Sequence, residues 1–425
     1  MESNQRNTSL NRLTLIRTQI LSNKCLNARK PTAINDDDVV IVSYCRTALA
    51  KAGKGSFKDT LPEILTSNVI TELLKRGNAK PEQVQEVVFG NVLSNGAGFM
   101  SARMSQFLAG LPEHVSLMTV NRLCSSGLQA VMNVAYSIAS KQIDIGIGGG
   151  VESMSIYDMN NLVDGEKVSE EVFNNPKAAN CMIPMGITSE NVAEEFKVDR
   201  KSQDTLACDS HRKAANAQKN GWSKDEIVAV QTKIKDKSGN LKEITVDKDE
   251  GIRLETTMES LGKLKASFKQ GGTTTAGNSS QVTDGAAGVL LARRSVAKKL
   301  GLPIVGRIVG YAVAGVPPEI MGIGPAFAIP KVLENTGMKI EDIDVFEINE
   351  AFASQAVYCI NKLNIPMEKV NPRGGAIALG HPLGCTGARQ FSTLLSELKR
   401  VNKKRGVISM CIGTGMGAAC VVERE

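Results

Sequence analysis

The sequence predicts an α/β protein made of two similar layered halves, the first carrying a long insertion. From Asp38 onward, short β-branched runs alternate with segments of helical spacing, and the alternation begins again after Pro303. The two series run in a matching order. Val120-Asn121 leads to Cys124 and a helix, as Val370-Asn371 leads into a glycine-rich turn and a helix, and glycines follow both Ile145 and Cys411. Residues 152–282 interrupt the pattern with long polar stretches rich in Asn, Pro and Lys. A duplicated unit split by an insertion accounts for all three observations.

Taken in order, residues 39–43 form a Val/Ile run, residues 61–74 have helical spacing, and residues 87–92 read as a strand. After Cys124, Val131, Val134, Ala135 and Ile138 share one helical face, and residues 143–150 form a strand ending in glycines. A dinucleotide fingerprint is excluded at those glycines. The sixth position, counted from Gly146, is Val151, and no phosphate-binding helix follows. The insertion contains helical patches at 189–196 and 202–218. Its apolar Met182, Ile183 and Met185 suit the wall of a substrate tunnel, although most such residues pack within a small helical subdomain. The second series consists of strands at 304–311, 345–348 and 407–411 and helices at 326–336 and 353–361. The expected units are therefore residues 38–151 with 283–302, the inserted 152–282, and 303–425.

Composition limits the function classes. Charges such as Lys141 and Asp144 break every apolar run well short of the eighteen or so residues that span a bilayer, which argues against an integral membrane segment. The net charge is +7, but Lys and Arg are interspersed with acids and aromatics are only 4%, so there is no stacking platform for nucleic acid. A solvated basic surface and a polyanionic ligand such as coenzyme A both fit that balance. The nine cysteines are odd in number and never form a C-x-x-C pair, which argues for reduced thiols. None of His114, His211 and His381 is grouped with cysteines at zinc-ligand spacing, so no metal is expected.

Residues 1–35 set Arg6, Arg12, Arg17, Lys24, Arg29 and Lys30 against the single acid Glu2, the composition of a targeting leader. Within it, residues 12–20 (RLTLIRTQI) resemble an amino-terminal peroxisomal signal, with Leu13, Ile16 and Ile20 on one helical face. Arg17 and Ile20 depart from the usual pattern. A mitochondrial presequence shares the composition; the peroxisome is preferred.

Candidate chemistry centres on Cys124, placed by its spacing in the first turn of a helix, where free N–H groups and the helix dipole favour a thiolate. An isolated cysteine is more often a small buried apolar residue. His381 is the histidine embedded in a glycine-dense turn, flanked by Gly374, Gly375, Gly380, Gly384 and Gly387, and is the candidate base. Cys411 offers a second proton-exchanging thiol. Gly413 and Gly415 leave backbone N–H groups free for an oxyanion, Asn349 can hold a water or polarise a carbonyl, and Glu350 can orient its neighbours. Cys385 is read as packing.

Four blocks in this order resemble the catalytic blocks of the thiolases: residues 120–130 (VNRLCSSGLQA), 349–352 (NEAF), 371–387 (NPRGGAIALGHPLGCTG) and 409–417 (SMCIGTGMG). The resemblance runs from about Asp38 to the end of the chain. It implies a layered α-β-α-β-α fold with an inserted loop domain that binds coenzyme A, and acyl transfer through a thioester on Cys124. In that scheme His381 activates the thiol and, with a water on Asn349, holds one oxyanion; Cys411 moves the proton; and the N–H groups of Cys124 and Gly413 hold a second oxyanion. Coenzyme A is a co-substrate, with no tightly bound cofactor and no metal, and family members are dimers or tetramers. The family pattern carries over to Ser280 and Ala276 at the pantetheine arm, Arg253 and Ser260 near the nucleotide, and Leu264, Phe268, Met185 and Met321 as apolar lining. Residues 181–191 (CMIPMGITSEN) and 316–325 (VPPEIMGIGP) resemble the degradative, 3-ketoacyl-CoA-cleaving branch, whereas the biosynthetic acetoacetyl-CoA branch usually has histidine where Pro184 stands. The alternatives are an acetyl-CoA C-acetyltransferase and a non-catalytic acyl-CoA or lipid carrier; the carrier would need none of Cys124, His381 and Cys411. Arg373 departs from the family, in which an apolar residue frequently precedes the paired glycines.

Overall fold

The computed structural model describes residues 33–159, 167–236 and 238–425. Of the leader expected over residues 1–35, residues 1–32 lie outside them. The first half contains β1 (Val39–Thr47), α1 (Pro62–Gly77), β2 (Glu86–Gly90), α2 (Phe99–Leu108), β3 (Ser116–Val120), α3 (Ser126–Ala139) and β4 (Ile145–Ser153). In the insertion lie α4 (Met185–Glu195) and α5 (Arg200–Lys219), along with a hairpin of Val230–Lys235 and Leu241–Val246. β5 (Thr283–Arg293) returns to the first half. The second half follows with β6 (Gly306–Gly315), α6 (Gly324–Thr336), β7 (Val345–Ile348), α7 (Ala353–Lys362), α8 (Thr386–Arg400), β8 (Arg405–Ile412) and β9 (Met416–Arg424).

Pairing makes the duplication explicit. In the first half β1 is antiparallel to β5 and β5 to β4, whereas β4 is parallel to β2 and β2 to β3. The second half repeats this: β6 is antiparallel to β9 and β9 to β8, β8 is parallel to β7, and a parallel bridge from Phe346 to Val370 stands where β3 would be. The two sheets touch edge to edge through a short antiparallel pairing, Val40 with Arg307 and Ile41 with Gly306.

Helices fill three layers around these sheets. On the outer face of the first sheet, Leu65, Val69 and Leu73 of α1 pack with Val40, Val42 and Leu290. On the outer face of the second, Ile329, Val332 and Leu333 of α6 and Ile360 of α7 pack with Phe346, Val407 and Val421. Between the sheets lie α3 and α8, whose Leu128, Val131, Phe391 and Leu394 join strand residues of both halves, including Val88, Val289, Ile408 and Cys420. The order is helix, sheet, helix, sheet, helix.

The two central helices begin at the two candidate catalytic turns, and glycine lets them meet. A Cβ on Gly127 would stand 2.6 Å from the Gly384 carbonyl oxygen, so a larger residue there would force the α3 and α8 starts apart. Buried charges tie in the insertion. Arg46 of β1 pairs with Asp249 at 2.7 Å and Glu226 at 3.3 Å, and Arg373 pairs with Glu397 at 2.9 Å and donates to the Trp222 carbonyl at 2.7 Å. Arg373, unexplained by the sequence, thus links the His381 loop to α8 and the insertion. No helix among the described residues is long and apolar enough to cross a membrane.

Candidate active site

Cys124 does not lie in the first turn of a helix. α3 begins at Ser126 with Ser125 as its cap, and Leu123 takes a left-handed φ of 47° that turns the chain sharply just before the cysteine. The turn is fixed locally: the Ser126 N–H and Oγ both donate to the Leu123 carbonyl, at 2.9 and 2.7 Å, and the Arg122 N–H donates to Ser126 Oγ at 2.9 Å. Nor is the thiol poised as a thiolate. Burial pushes it up to about 11; N–H groups of Gly413 and of Cys124 itself, hydrogen-bonded to the sulfur, pull it down, and the Glu152 carboxylate raises it. Loss of hydration outweighs two N–H dipoles.

His381 leaves the second turn, and its tautomer follows from its partners. Thr386 Oγ1 donates its one hydrogen to the Pro382 carbonyl at 3.0 Å, so at 2.6 Å from the ring it accepts from His381 Nδ1–H. Nε2 is then the bare nitrogen, facing Asn349 Nδ2 at 3.3 Å. Burial, aided by Arg389, pulls the imidazole down to about 3, so it rests neutral with Nε2 unprotonated. Asn349 Oδ1 is buried with no protein partner among the described residues, leaving an acceptor for a ligand or water.

Cys411 comes from the end of β8 and is fully buried with Met321, Ala351, Met185 and Phe352. Its thiol is held well above its usual range by burial and then by the Cys124 thiol, which places the two sulfurs within each other's field. Cys124 in turn packs with Val92 and Leu383, the latter two residues from His381. Five of the expected residues, Cys124, His381, Asn349, Cys411 and Gly413, therefore converge, contributed by both halves. Glu350 stands behind them. It accepts from Ser210 Oγ and Asn371 Nδ2, both at 2.6 Å, and from the Ile377 N–H at 3.2 Å, supporting the backbone that leads to His381 and not touching Cys124.

The expected coenzyme A contacts form a path and not a cluster. Met185 sulfur lies 3.5 Å from where a Gly413 Cβ would be, and the Phe268 ring stands edge-on to Phe352 at 6.2 Å. Leu264 and Phe268 are partly exposed, Ser280 is half-buried with its N–H on the Ala351 carbonyl at 2.9 Å, and Met321 is buried beside Cys411. Arg253, Ser260 and Ala276 lie on the surface, apart from the thiols. The Ser260 hydroxyl is already engaged with Thr257 in a capping box. His211 Nδ1 accepts from the Arg253 N–H at 3.1 Å and so holds that loop. A cavity of about 970 Å³ lined by Cys208, Arg212, Lys219, Lys248, Ile252 and Leu254 flanks the same loop; none of Cys124, His381 and Cys411 lines it.

Sequence reasoning missed three residues. Thr386 sets the His381 tautomer. Gln281 Nε2 donates to the Gly251 and Ile377 carbonyls at 2.8 and 3.1 Å, while its own carbonyl accepts from the His381 N–H at 3.1 Å. Glu152 lies buried between the turn after β2 and the His381 loop. An acid closing the glycine strand Gly148-Gly149-Gly150-Val151 was the one available signal.

Two thiols, a neutral imidazole with a bare nitrogen and an unspent amide, joined at the meeting of two like halves, define an acyl-transfer site of the thiolase type. Residues 39–295 match the model of the thiolase N-terminal domain and residues 302–424 that of the thiolase C-terminal domain; the chain belongs to the thiolase family. The peroxisomal 3-ketoacyl-CoA thiolase of Homo sapiens is 59% identical over 387 residues, 91% of each chain. A crystal structure of the dimeric peroxisomal thiolase of Saccharomyces cerevisiae matches with a TM-score of 0.86 at 50% identity, covering 93% of this chain and 99% of that one. A second structure, of the peroxisomal 3-ketoacyl-CoA thiolase of the same yeast, is described as five-layered and built from two core domains of identical topology; it matches with a TM-score of 0.75 at 46% identity, covering 92% and 99%.

Proposed function

We infer that this chain cleaves 3-ketoacyl-CoA with coenzyme A, giving acetyl-CoA and an acyl-CoA shorter by two carbons, in fatty acid β-oxidation within the peroxisome. One observation carries the reading: the Cys124 turn, the Asn349–His381 pair and Cys411 meet at one point, with the Gly413 N–H on the Cys124 sulfur.

Cys124 Sγ attacks the 3-keto carbon and its proton passes to His381 Nε2. The oxyanion on that carbon is held by the N–H groups of Cys124 and Gly413. The C2–C3 bond breaks, its electron pair forming the enolate of acetyl-CoA. The enolate oxygen meets the newly protonated Nε2–H and a water held by Asn349 Oδ1, and the Cys411 S–H protonates C2. In the second half-reaction the coenzyme A thiol gives its proton to the Cys411 thiolate and attacks the acyl-Cys124 thioester. Cys124 leaves and recovers its proton from His381. The resting pair is thiol and neutral imidazole, so charge arises only once substrate is bound.

The path from Gly413 past Met185, Phe352 and Phe268 to Leu264 suits a pantetheine arm ending on Ser280, with Arg253 and Ser260 near the nucleotide. The leader would be read by a peroxisomal import receptor. A homodimer fits the free edge of β3 and the neighbouring face of α2, where Phe99, Met100, Met104, Phe107, Leu108 and Met118 are all more than one-third exposed. Turnover of a 3-ketoacyl-CoA series from four to sixteen carbons is the test. Activity with medium and long chains is expected; activity confined to acetoacetyl-CoA would favour the acetyltransferase instead.

A further inference from the structure

Glu152, the penultimate residue of β4, is fully buried, and four neutral N–H groups converge on its carboxylate. One oxygen accepts from Asn91 Nδ2 and the Leu93 N–H, both at 3.2 Å; the other accepts from the Val92 N–H at 3.1 Å and the Gly384 N–H at 2.9 Å. The first three donors belong to the turn after β2, and the fourth to the His381 loop. Val92 and Leu93 from one side and Leu383 from the other are also the residues packed around Cys124. The carboxylate thus fastens together the two walls between which the nucleophile lies, one from each half. Asn91 adds a second strap, donating to the Val151 carbonyl at 2.9 Å and accepting from the Ser94 N–H at 2.9 Å.

We propose that Glu152 is a positioning residue for acyl transfer: its carboxylate sets the spacing between Cys124 and the His381 loop and places a negative charge beside the nucleophile. The reading rests on Cys124 being the nucleophile. A carboxylate suits the task because only it offers acceptors on both oxygens to four converging donors; an amide would turn an NH2 group toward two of them. The charge is costly to bury. Burial and the Asp284 carboxylate on β5 push Glu152 up to about 7, against the pull of the Gly384, Leu93 and Val92 N–H groups. Of the other titratable groups, Cys411 of β8 lies within the field of the Cys124 thiol, and His381 stands two residues before Leu383 on the opposite wall.

Two variants separate reach from charge. Glu152→Gln removes the charge and spoils two hydrogen bonds; Glu152→Asp keeps the charge but, one methylene shorter, cannot span both loops. Each is expected to lower kcat roughly 100-fold, the cost of misplacing reacting groups by about 1 Å, with KM for coenzyme A little changed. The alkylation rate of Cys124 by iodoacetamide, followed against pH on each whole enzyme, gives the second readout. Its inflection should move to lower pH in Glu152→Gln and not in Glu152→Asp. Should one variant fail to fold, the other still decides. A kcat within threefold of wild type in either variant, or an unmoved inflection in Glu152→Gln, would overturn the proposal. Loss of the iodoacetamide reaction at 124 in the parent enzyme would instead refute the nucleophile on which it rests.

Discussion

Thr386→Val tests how the base is held. The substitution keeps shape and removes one hydroxyl, at a fully buried position that accepts from His381 Nδ1–H and donates to the Pro382 carbonyl. Both partners remain buried without a replacement. At ~1–3 kcal/mol for each unmade buried hydrogen bond, the loss is about 2–6 kcal/mol, a large share of the ~5–15 kcal/mol that holds a typical domain together. Activity should fall further than stability explains, because nothing then keeps the proton on Nδ1 and Nε2 bare; roughly 100-fold in kcat is expected. Thr386→Ser restores the hydroxyl and most of both quantities. Denaturant midpoints and thiolysis rates below the unfolding range are the assays. Unchanged kcat in the valine variant would refute the assignment of tautomer and base.

Other expectations follow from buried charge and exposed surface. Arg373→Met takes one cationic partner from each of Glu397 and Glu226, which keep Arg400 and Arg46, so unfolding free energy should drop by about 1.5–3 kcal/mol in urea titrations. Burial holds His381 at about 3 and His211 at about 4 in the folded chain, against 6.5 when unfolded. The unfolded chain therefore binds more protons across that window, and stability is complete above pH 6.5 and falls as pH drops toward 4. His211→Asn keeps an acceptor for the Arg253 N–H and removes one of the two titrations, so its denaturation midpoint should decline less steeply with acid. Met104→Lys with Met118→Asp on the α2–β3 edge should shift size-exclusion elution toward the monomer; unchanged elution would place the dimer contact elsewhere.

Much of the fold was legible because its strands are Val/Ile runs and its outer helices are amphipathic, as in Val39–Thr47 and Pro62–Gly77. The duplication was visible in the order of the glycine turns. The full extent of α8 was not, because TGARQFSTLLSEL reads as a surface sequence, yet Arg389, Gln390 and Glu397 are buried in the central layer and paired with Glu347, the Glu347 carbonyl and Arg373. The spacing of Ala388, Phe391, Leu394, Leu395 and Leu398 marks one apolar face, but nothing in it shows that the polar face is buried as well. The site was legible to the extent that its residues lie in distinctive glycine blocks. Its electrostatics were not: a helix-start cysteine suggested a thiolate, whereas depth below the surface, which spacing does not encode, makes the resting group a thiol. Glu152 and Gln281 escaped notice because each acts on residues far away in sequence, and Thr386 because the fold of its turn, which brings its hydroxyl to the His381 ring, is not readable from spacing.

Trapping the acyl-enzyme is the most direct measurement. The enzyme is mixed briefly with a 3-ketoacyl-CoA in the absence of free coenzyme A, quenched in acid, and its intact mass and peptide map are read. One acyl group is expected on Cys124, absent in Cys124→Ser and discharged when coenzyme A is added. An adduct on Cys411 or Cys385, or turnover retained by Cys124→Ser, would contradict the assignment of the nucleophile.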